Sequence, residues 1–447
     1  MKQEIIQKYN IPVPRYTSFP AVPYWNGAPS ESNWINHLTE NYDPNKGLEL
    51  YLHIPYCQQL CYYCGCHRII SKKRERGDEY VDYLLKEWHL YQKKLAPLEI
   101  KISSIHLGGG TPNFLSVSAM KKLFGKLSSN FSTQNFKGSI EVDPRTCEKE
   151  QLETLREFGF TRLSMGIQDF DPVVQKAIGR LQSFEQVSKL CEYAREIGFD
   201  DINFDLIYGL PYQTQATVQK TIEQVLELSP YQIAFYSYAH LPQKLKNQNL
   251  IPEEALPHGA EKRALYESGK KQLAMAGYEE IGLDHFALSE SQLSQAKREG
   301  KLRRNFMGHT LNVSPIILGL GVSSISSSTI SFAQNAKALK DYYSQLDQKI
   351  LPIENGHTHS LEDQRRETLL QDFFAKEKIQ IGSWKSFQDH QFIETKLADL
   401  EEDQLIEVQD HHFVVTKEGR PFMRNIASVF DNYYQQKGRE KTGSKSL

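Results

Sequence analysis

The chain has almost no net charge, no long apolar run and few cysteines, and each shortage narrows what it can be. Its 447 residues set 53 Lys and Arg against 55 Asp and Glu, a formal net charge of −2. That balance removes the cationic footprint of a nucleic-acid binder. Nowhere do about 18 consecutive apolar residues occur, so no membrane-spanning helix is expected. The opening MKQEIIQKYNIPVPRYTSFP has neither the apolar centre of a signal peptide nor the Arg-rich look of a transit peptide. A soluble cytoplasmic protein is the expectation. No stretch of about 20 to 50 residues repeats.

What is present is concentrated. Of six cysteines, Cys57, Cys61, Cys64 and Cys66 lie within ten residues, while Cys147 and Cys191 stand alone. Thiols clustered in this way in a reducing compartment point to metal ligation, not to a disulfide framework.

Length calls for a large domain with a smaller appendage. Strand-length apolar runs at 48–54, 102–107, 139–142, 162–167, 202–207 and 233–239, with a short one around Ile281, alternate with helical stretches. That rhythm predicts an α/β fold around a parallel sheet, open or closed into a barrel. The predicted architecture is a partial (β/α) barrel over 48–355, preceded by an N-terminal segment, 1–47. A small, mainly helical C-terminal domain of winged-helix character follows over 356–436, with a short hairpin near Ile406 to Val415. The polar tail, 437–447, is expected to be disordered. Motifs sit where strands end: CQQLCYYCGC after the first, GGGTP after the second, then EVDPR, GIQDF and DLIYGLP. The C-terminal rim of such a sheet is where chemistry gathers. His357, His359, His411 and His412 lack nearby ligand partners in the sequence and are expected on the surface.

The spacing C-x3-C-x2-C over Cys57, Cys61 and Cys64 lets a short loop hold three irons of a cubane cluster and leaves the fourth open. The competing reading is a zinc site that adds Cys66, with His53 or His67. It lacks the second separated Cys/His pair that zinc sites show.

YLHIPYCQQLCYYCGCHR resembles the cluster loop of the radical S-adenosylmethionine superfamily. With the CGC ending, the GGGTP loop and the upstream PRYTSFP, the chain is similar to the oxygen-independent coproporphyrinogen III oxidase (dehydrogenase) family, from about Pro14 to near the C-terminus. The resemblance implies an oxidoreductase of haem biosynthesis. It would hold a [4Fe-4S] cluster on Cys57, Cys61 and Cys64 and bind two S-adenosylmethionine molecules. A 5′-deoxyadenosyl radical would drive loss of two propionate carboxyls to vinyl groups, giving protoporphyrinogen IX. By the same resemblance, Tyr51 and Tyr63 touch S-adenosylmethionine, and Gly109, Glu141, Ala239 and Ile325 belong to the site of one molecule. Gly110, Thr111, Gln168, Arg180 and Asp205 serve the second. Tyr51, His53 and Cys66 carry candidate catalytic roles, and Arg15 and His309 candidate substrate contacts, since a guanidinium pairs bidentately with a carboxylate. Implied partners are the porphyrinogen and an unidentified reductant, with no nucleic acid or membrane, and the protein is expected to be a monomer. Two alternatives remain: a haem-binding chaperone of the same superfamily, and a radical enzyme acting on another tetrapyrrole. The second is kept open by the 307–317 stretch, where the family tends to show Tyr-Thr after Asn-Phe-x-Gly and this chain has His309-Thr310.

Overall fold

The computed structural model describes residues 3–132, 136–311 and 314–437. The 437–447 tail lies outside them except for Lys437. The expected strands form: β1 (Leu48–Ile54), the short β2 (Tyr56–Cys57) and β3 (Ile69–Ile70) that flank the cysteine loop, β4 (Ile102–Gly109), β5 (Lys137–Val142), β6 (Phe160–Gln168), β7 (Asp201–Tyr208) and β8 (Gln232–Ser237). Then come β9 (Tyr278–Gly282), β10 (His285–Leu288), a hairpin of β11 (Arg303–Asn305) and β12 (Gly308–Thr310), and β13 (Ile317–Leu320), β14 (Ile325–Ser327), β15 (Ser331–Asn335) and β16 (Ile353–Thr358). Twelve of these make one open sheet in the order β16-β15-β14-β13-β1-β4-β5-β6-β7-β8-β10-β9. The seven from β13 through β8 in that order run parallel, and the flanks are antiparallel.

The strands are two-faced in a way that explains the curl. β1 reads Leu-Glu-Leu-Tyr-Leu-His-Ile, and Leu50, Leu52 and Ile54 are fully buried in the main apolar core. Glu49, Tyr51 and His53 occupy the alternate positions, on the other face. β4 to β8 continue the pattern. Residues from β1, β4, β5, β6, β7, β8 and β10 line one cavity of about 490 Å³, so the sheet wraps round a polar interior. Helices cover the apolar outside. The helix Glu75–Lys94 buries Tyr80, Val81, Leu84, Trp88 and Tyr91, each contributing about 1.5–3 kcal/mol. Other helices start on Ser116, Ser183, Thr214 and Ser360, whose side chains accept backbone N–H bonds at the helix N-termini.

Two sequence expectations change. The boundary at 355/356 falls inside β16, which pairs with β15 and so belongs to the main sheet. Residues 1–47 are not one unit either. Trp34 and Leu38, on the helix Glu31–Asn41, join the main core, whereas Tyr16 and Phe19 join a second core with Leu370, Phe373, Trp384, Ile393 and Phe430. That second core is built from helices Leu361–Lys376 and His390–Glu402 and a small sheet of β17 (Lys378–Gln380), β18 (Ile406–Gln409) and β19 (His412–Val415).

Candidate active site

The cysteine loop leaves β1 at its C-terminal end. Cys57 and Cys61 are buried, Cys64 is partly covered, and Cys66 is exposed. Each sulfur meets a donor. Thr111 Oγ1 donates to Cys57 Sγ at 3.1 Å. Arg145 Nη2 and Arg180 Nη1 both reach Cys61 Sγ at 3.5 Å. The Cys66 backbone N–H donates to Cys64 Sγ at 3.4 Å. The Cys66 thiol pulls Cys64 below the usual thiol range, while burial pushes Cys57 up to about 11. Metal binding would displace those protons. Among the described residues no three His, Cys, Asp or Glu side chains converge as ligands of a single ion. A tetrahedral zinc would need four within about 2.0–2.3 Å of one point. Cubane irons sit on separate corners, so their thiolates stand apart. Hydroxyl, guanidinium and backbone donors surround the three thiols, which fits a cluster carried on thiolate charge.

Arg180 and Arg145 are themselves held by Asp143, at 3.3 and 2.6 Å. The Arg180 guanidinium and the buried Gln168 both approach Gly166, at a bulge between β6 and β7 where Gln168 has φ +70°. The glycines of the second motif have a specific steric reason. A Cβ on Gly109, whose φ is +114°, would stand 2.7 Å from the His53 ring, and one on Gly110 would stand 2.6 Å from the Pro55 carbonyl oxygen. The Gly110 N–H donates to the Ile54 carbonyl at 2.8 Å. Both glycines are thus required by the fit of their own turn against the base of the cysteine loop.

Next to them runs a chain of polar contacts. His53 Nε2 lies 3.1 Å from the His67 carbonyl oxygen and must donate to it, so Nδ1 accepts from Tyr51 OH at 3.1 Å. Burial lowers His53 to about 4, which keeps the ring neutral. Tyr51 stacks on His106, whose Nε2 faces Glu141 Oε1 at 3.3 Å. Asp205 accepts from Ser164 Oγ at 3.2 Å and Asn203 Nδ2 at 3.0 Å. Burial, and then the charge on Glu141, raise it to about 6. Gln248 ties Ala239 to the loop by donating to the carbonyls of Ala239 and Tyr63. Ile325 packs its backbone on Gly319, the β13 partner of Tyr51.

The cluster thiols and the residues from Tyr51 to Asp205 therefore gather at one end of the sheet. His309 lines the same cavity as Glu141 and Asp205, whereas Arg15 is not among its lining residues. Arg15 Nη2 donates to the carbonyl of Ser237, the last residue of β8, at 3.4 Å, and His309 contacts the His285 ring on β10. Sequence reasoning missed Asp143 and Arg145, although both lie in the EVDPR it singled out. It also missed the inner row Glu49, His106, Ser164, Asn203 and Tyr236, whose signal was a polar side chain recurring within otherwise apolar strands. The surface expectation for His357 and His359 is corrected. Both are buried, His357 between Asn26 and Asp363 and His359 against Phe332, because the edge strand β16 is covered by the N-terminal segment and the helix Leu361–Lys376.

Among known proteins, the Radical SAM superfamily model matches residues 51–225. The chain is 37% identical over 452 residues to the oxygen-independent coproporphyrinogen III oxidase of Escherichia coli, covering 99% of this chain and 98% of that one. It is 38% identical to the protein of the same name from Helicobacter pylori J99, covering 99% of each. The solved structure of coproporphyrinogen III oxidase (HemN) from E. coli, described as a radical SAM enzyme, superposes with a TM-score of 0.87 at 35% identity, over 97% of this chain and 99% of that one. At 37–38% identity over 99% of its length, this chain belongs to the oxygen-independent coproporphyrinogen III oxidase family of radical SAM enzymes.

Proposed function

We propose that the protein converts coproporphyrinogen III to protoporphyrinogen IX without oxygen, each of two propionates losing one hydrogen atom, CO2 and one electron to become a vinyl group. The observation that carries this is the extent of the likeness. It spans the N-terminal segment, the sheet and the C-terminal core of relatives that bear this name, not the cluster loop alone. Likeness of that extent favours neither the haem chaperone nor a different tetrapyrrole chemistry.

When bound, a [4Fe-4S] cluster on Cys57, Cys61 and Cys64 together with S-adenosylmethionine supplies the one-electron chemistry and the organic radical that starts hydrogen abstraction. The chain's own residues prepare the place. Thr111, Arg145 and Arg180 donate to the sulfurs and offset thiolate charge. Tyr51 and His53 form a neutral, mutually oriented pair beside the glycine turn. Glu141 accepts from His106 and offers its second oxygen to the cavity. The polar interior behind an apolar, helix-covered wall holds a substrate away from bulk water.

Glu141 with Tyr51, and Gln168 with Arg180 and Asp205, support two adjacent S-adenosylmethionine positions. The six unpaired cysteines support a reducing, cytoplasmic setting, and no helix among the described residues is long and apolar enough to cross a membrane. The reductant is external, and the protein acts as a monomer. Expression in a bacterium deprived of its own oxygen-independent enzyme tests the function. The wild-type chain should restore growth without oxygen or added haem, and Cys57→Ala should not. Absence of rescue by a well-expressed, iron-loaded wild-type chain would contradict it.

A further inference from the structure

The hairpin β11–β12 pairs Arg304 directly with His309, so the two side chains leave one face of the same rung. His309 Nε2 lies 3.0 Å from the Gly282 carbonyl oxygen. A carbonyl only accepts, so this nitrogen carries the hydrogen and Nδ1 keeps its lone pair. Nδ1 is buried and meets no partner. Burial, with His285 and Arg304 beside it, keeps the ring neutral. Arg304 is the converse, with Nε and Nη1 buried as donors that meet no acceptor. His309 lines the 490 Å³ cavity inside the sheet and an adjoining cavity of about 540 Å³, and Arg304 lines the second.

The charge around this rung is lopsided. Arg15, Arg304 and Arg424 all act on Asp284. The neighbouring Glu280 is already engaged by Lys270 and Tyr266. Three guanidiniums thus share one carboxylate. A buried guanidinium with idle donors is costly unless an acidic ligand meets it. The positions are fixed from outside the hairpin, because Arg424 Nε donates to the Pro14 carbonyl at 3.0 Å and so holds the segment that carries Arg15. Idle donors and an idle acceptor on one rung ask for a ligand that brings carboxylates and N–H groups together. A porphyrinogen has both.

We propose that Arg304 receives a propionate carboxylate of the porphyrinogen while His309 Nδ1 accepts a pyrrole N–H of the same molecule, which makes the β11–β12 rung the element that selects a tetra-acid tetrapyrrole. The inference rests on the decarboxylase reading, adds Arg304 to it and gives His309 a specific part. Arg15 and Arg424 supply the surrounding positive potential.

The test uses cluster-loaded wild type, Arg304→Gln, Arg304→Lys and His309→Phe. It measures equilibrium binding of coproporphyrin III, the stable oxidised tetra-acid, alongside KM for coproporphyrinogen III. Arg304→Gln should weaken binding and raise KM by about tenfold or more, with a flatter salt dependence than wild type. Arg304→Lys should recover part of the loss. His309→Phe should cost about threefold to tenfold. S-adenosylmethionine affinity equal to wild type in each variant shows that the site has folded. If wild type turns over coproporphyrinogen III and Arg304→Gln binds within about twofold of it, the proposal falls and the activity stands. A wild type that neither binds the porphyrin nor turns over the porphyrinogen overturns both.

Discussion

Cys57, Cys61 and Cys64 have different surroundings, and the differences assign their work. Cys57 has only a hydroxyl donor, Cys61 faces two guanidiniums, and Cys64 leans on the thiol and backbone of Cys66. Cys66 supports a neighbouring sulfur, and the proposed ligand set does not include it. After anaerobic reconstitution, Cys66→Ser should keep about four irons per chain, whereas alanine at Cys57, Cys61 or Cys64 should lose most of them, as iron analysis and the cluster absorbance will report. Asp205 gives a second expectation. A carboxylate raised to about 6 binds its proton more tightly in the folded than in the unfolded protein. Its contribution to stability is therefore full below pH 4 and declines as pH rises from about 4 to 6. Asp205→Asn removes that loss. Relative to wild type, the variant should gain on the order of 2–3 kcal/mol between pH 4 and pH 7 in denaturant titrations. A difference that stays constant with pH would contradict the assignment.

At the level of elements, the turn after β4 shows how the fold makes the site. Gly109 combines a positive φ with contact against the His53 ring, so Gly109→Ala should destabilise by about 1–3 kcal/mol and loosen the cysteine loop. Adding His53→Ala should recover the steric part but not the backbone part, a coupling that a double-mutant cycle of chemical denaturation resolves. The same element shows what could be read in advance. β1, with Leu-Glu-Leu-Tyr-Leu-His-Ile, declares both its length and its two faces, and CQQLCYYC states its chemistry. β13 to β16 do not. They are short, rich in Ser and Gly, and acquire strand form only by pairing in sequence beyond β1. Spacing could not assign Arg145 or Arg304 either, because their roles arise from a thiol 84 residues away and from a hairpin partner.

Across the whole molecule, the N-terminal strap and the C-terminal core form one structural unit that bears on the catalytic domain. The Tyr16 hydroxyl donates to Asp431 at 3.2 Å, Tyr434 to the Pro12 carbonyl at 2.8 Å, and Asn425 to the Tyr9 carbonyl at 2.8 Å. Tyr16 is buried in the second core. Tyr16→Ala should therefore cost about 3–5 kcal/mol and raise hydrogen exchange in residues 9–20 and 360–436 together, with β1 and β4 to β8 unchanged. Exchange rising in the strap alone would mean that the two are separate units. Because that strap carries Arg15, the same variant should bind porphyrin less well. Whether three thiols on the first strand's loop equip this curled sheet for radical decarboxylation can be decided in one anaerobic reaction. The reconstituted protein, a chemical reductant, S-adenosylmethionine and coproporphyrinogen III are combined, and 5′-deoxyadenosine and porphyrin products are followed by mass. Protoporphyrinogen IX, formed by loss of two CO2 and four hydrogen atoms, should appear with 5′-deoxyadenosine rising alongside it and both absent in Cys57→Ala; 5′-deoxyadenosine released while coproporphyrinogen III stays unchanged would rule out the decarboxylation.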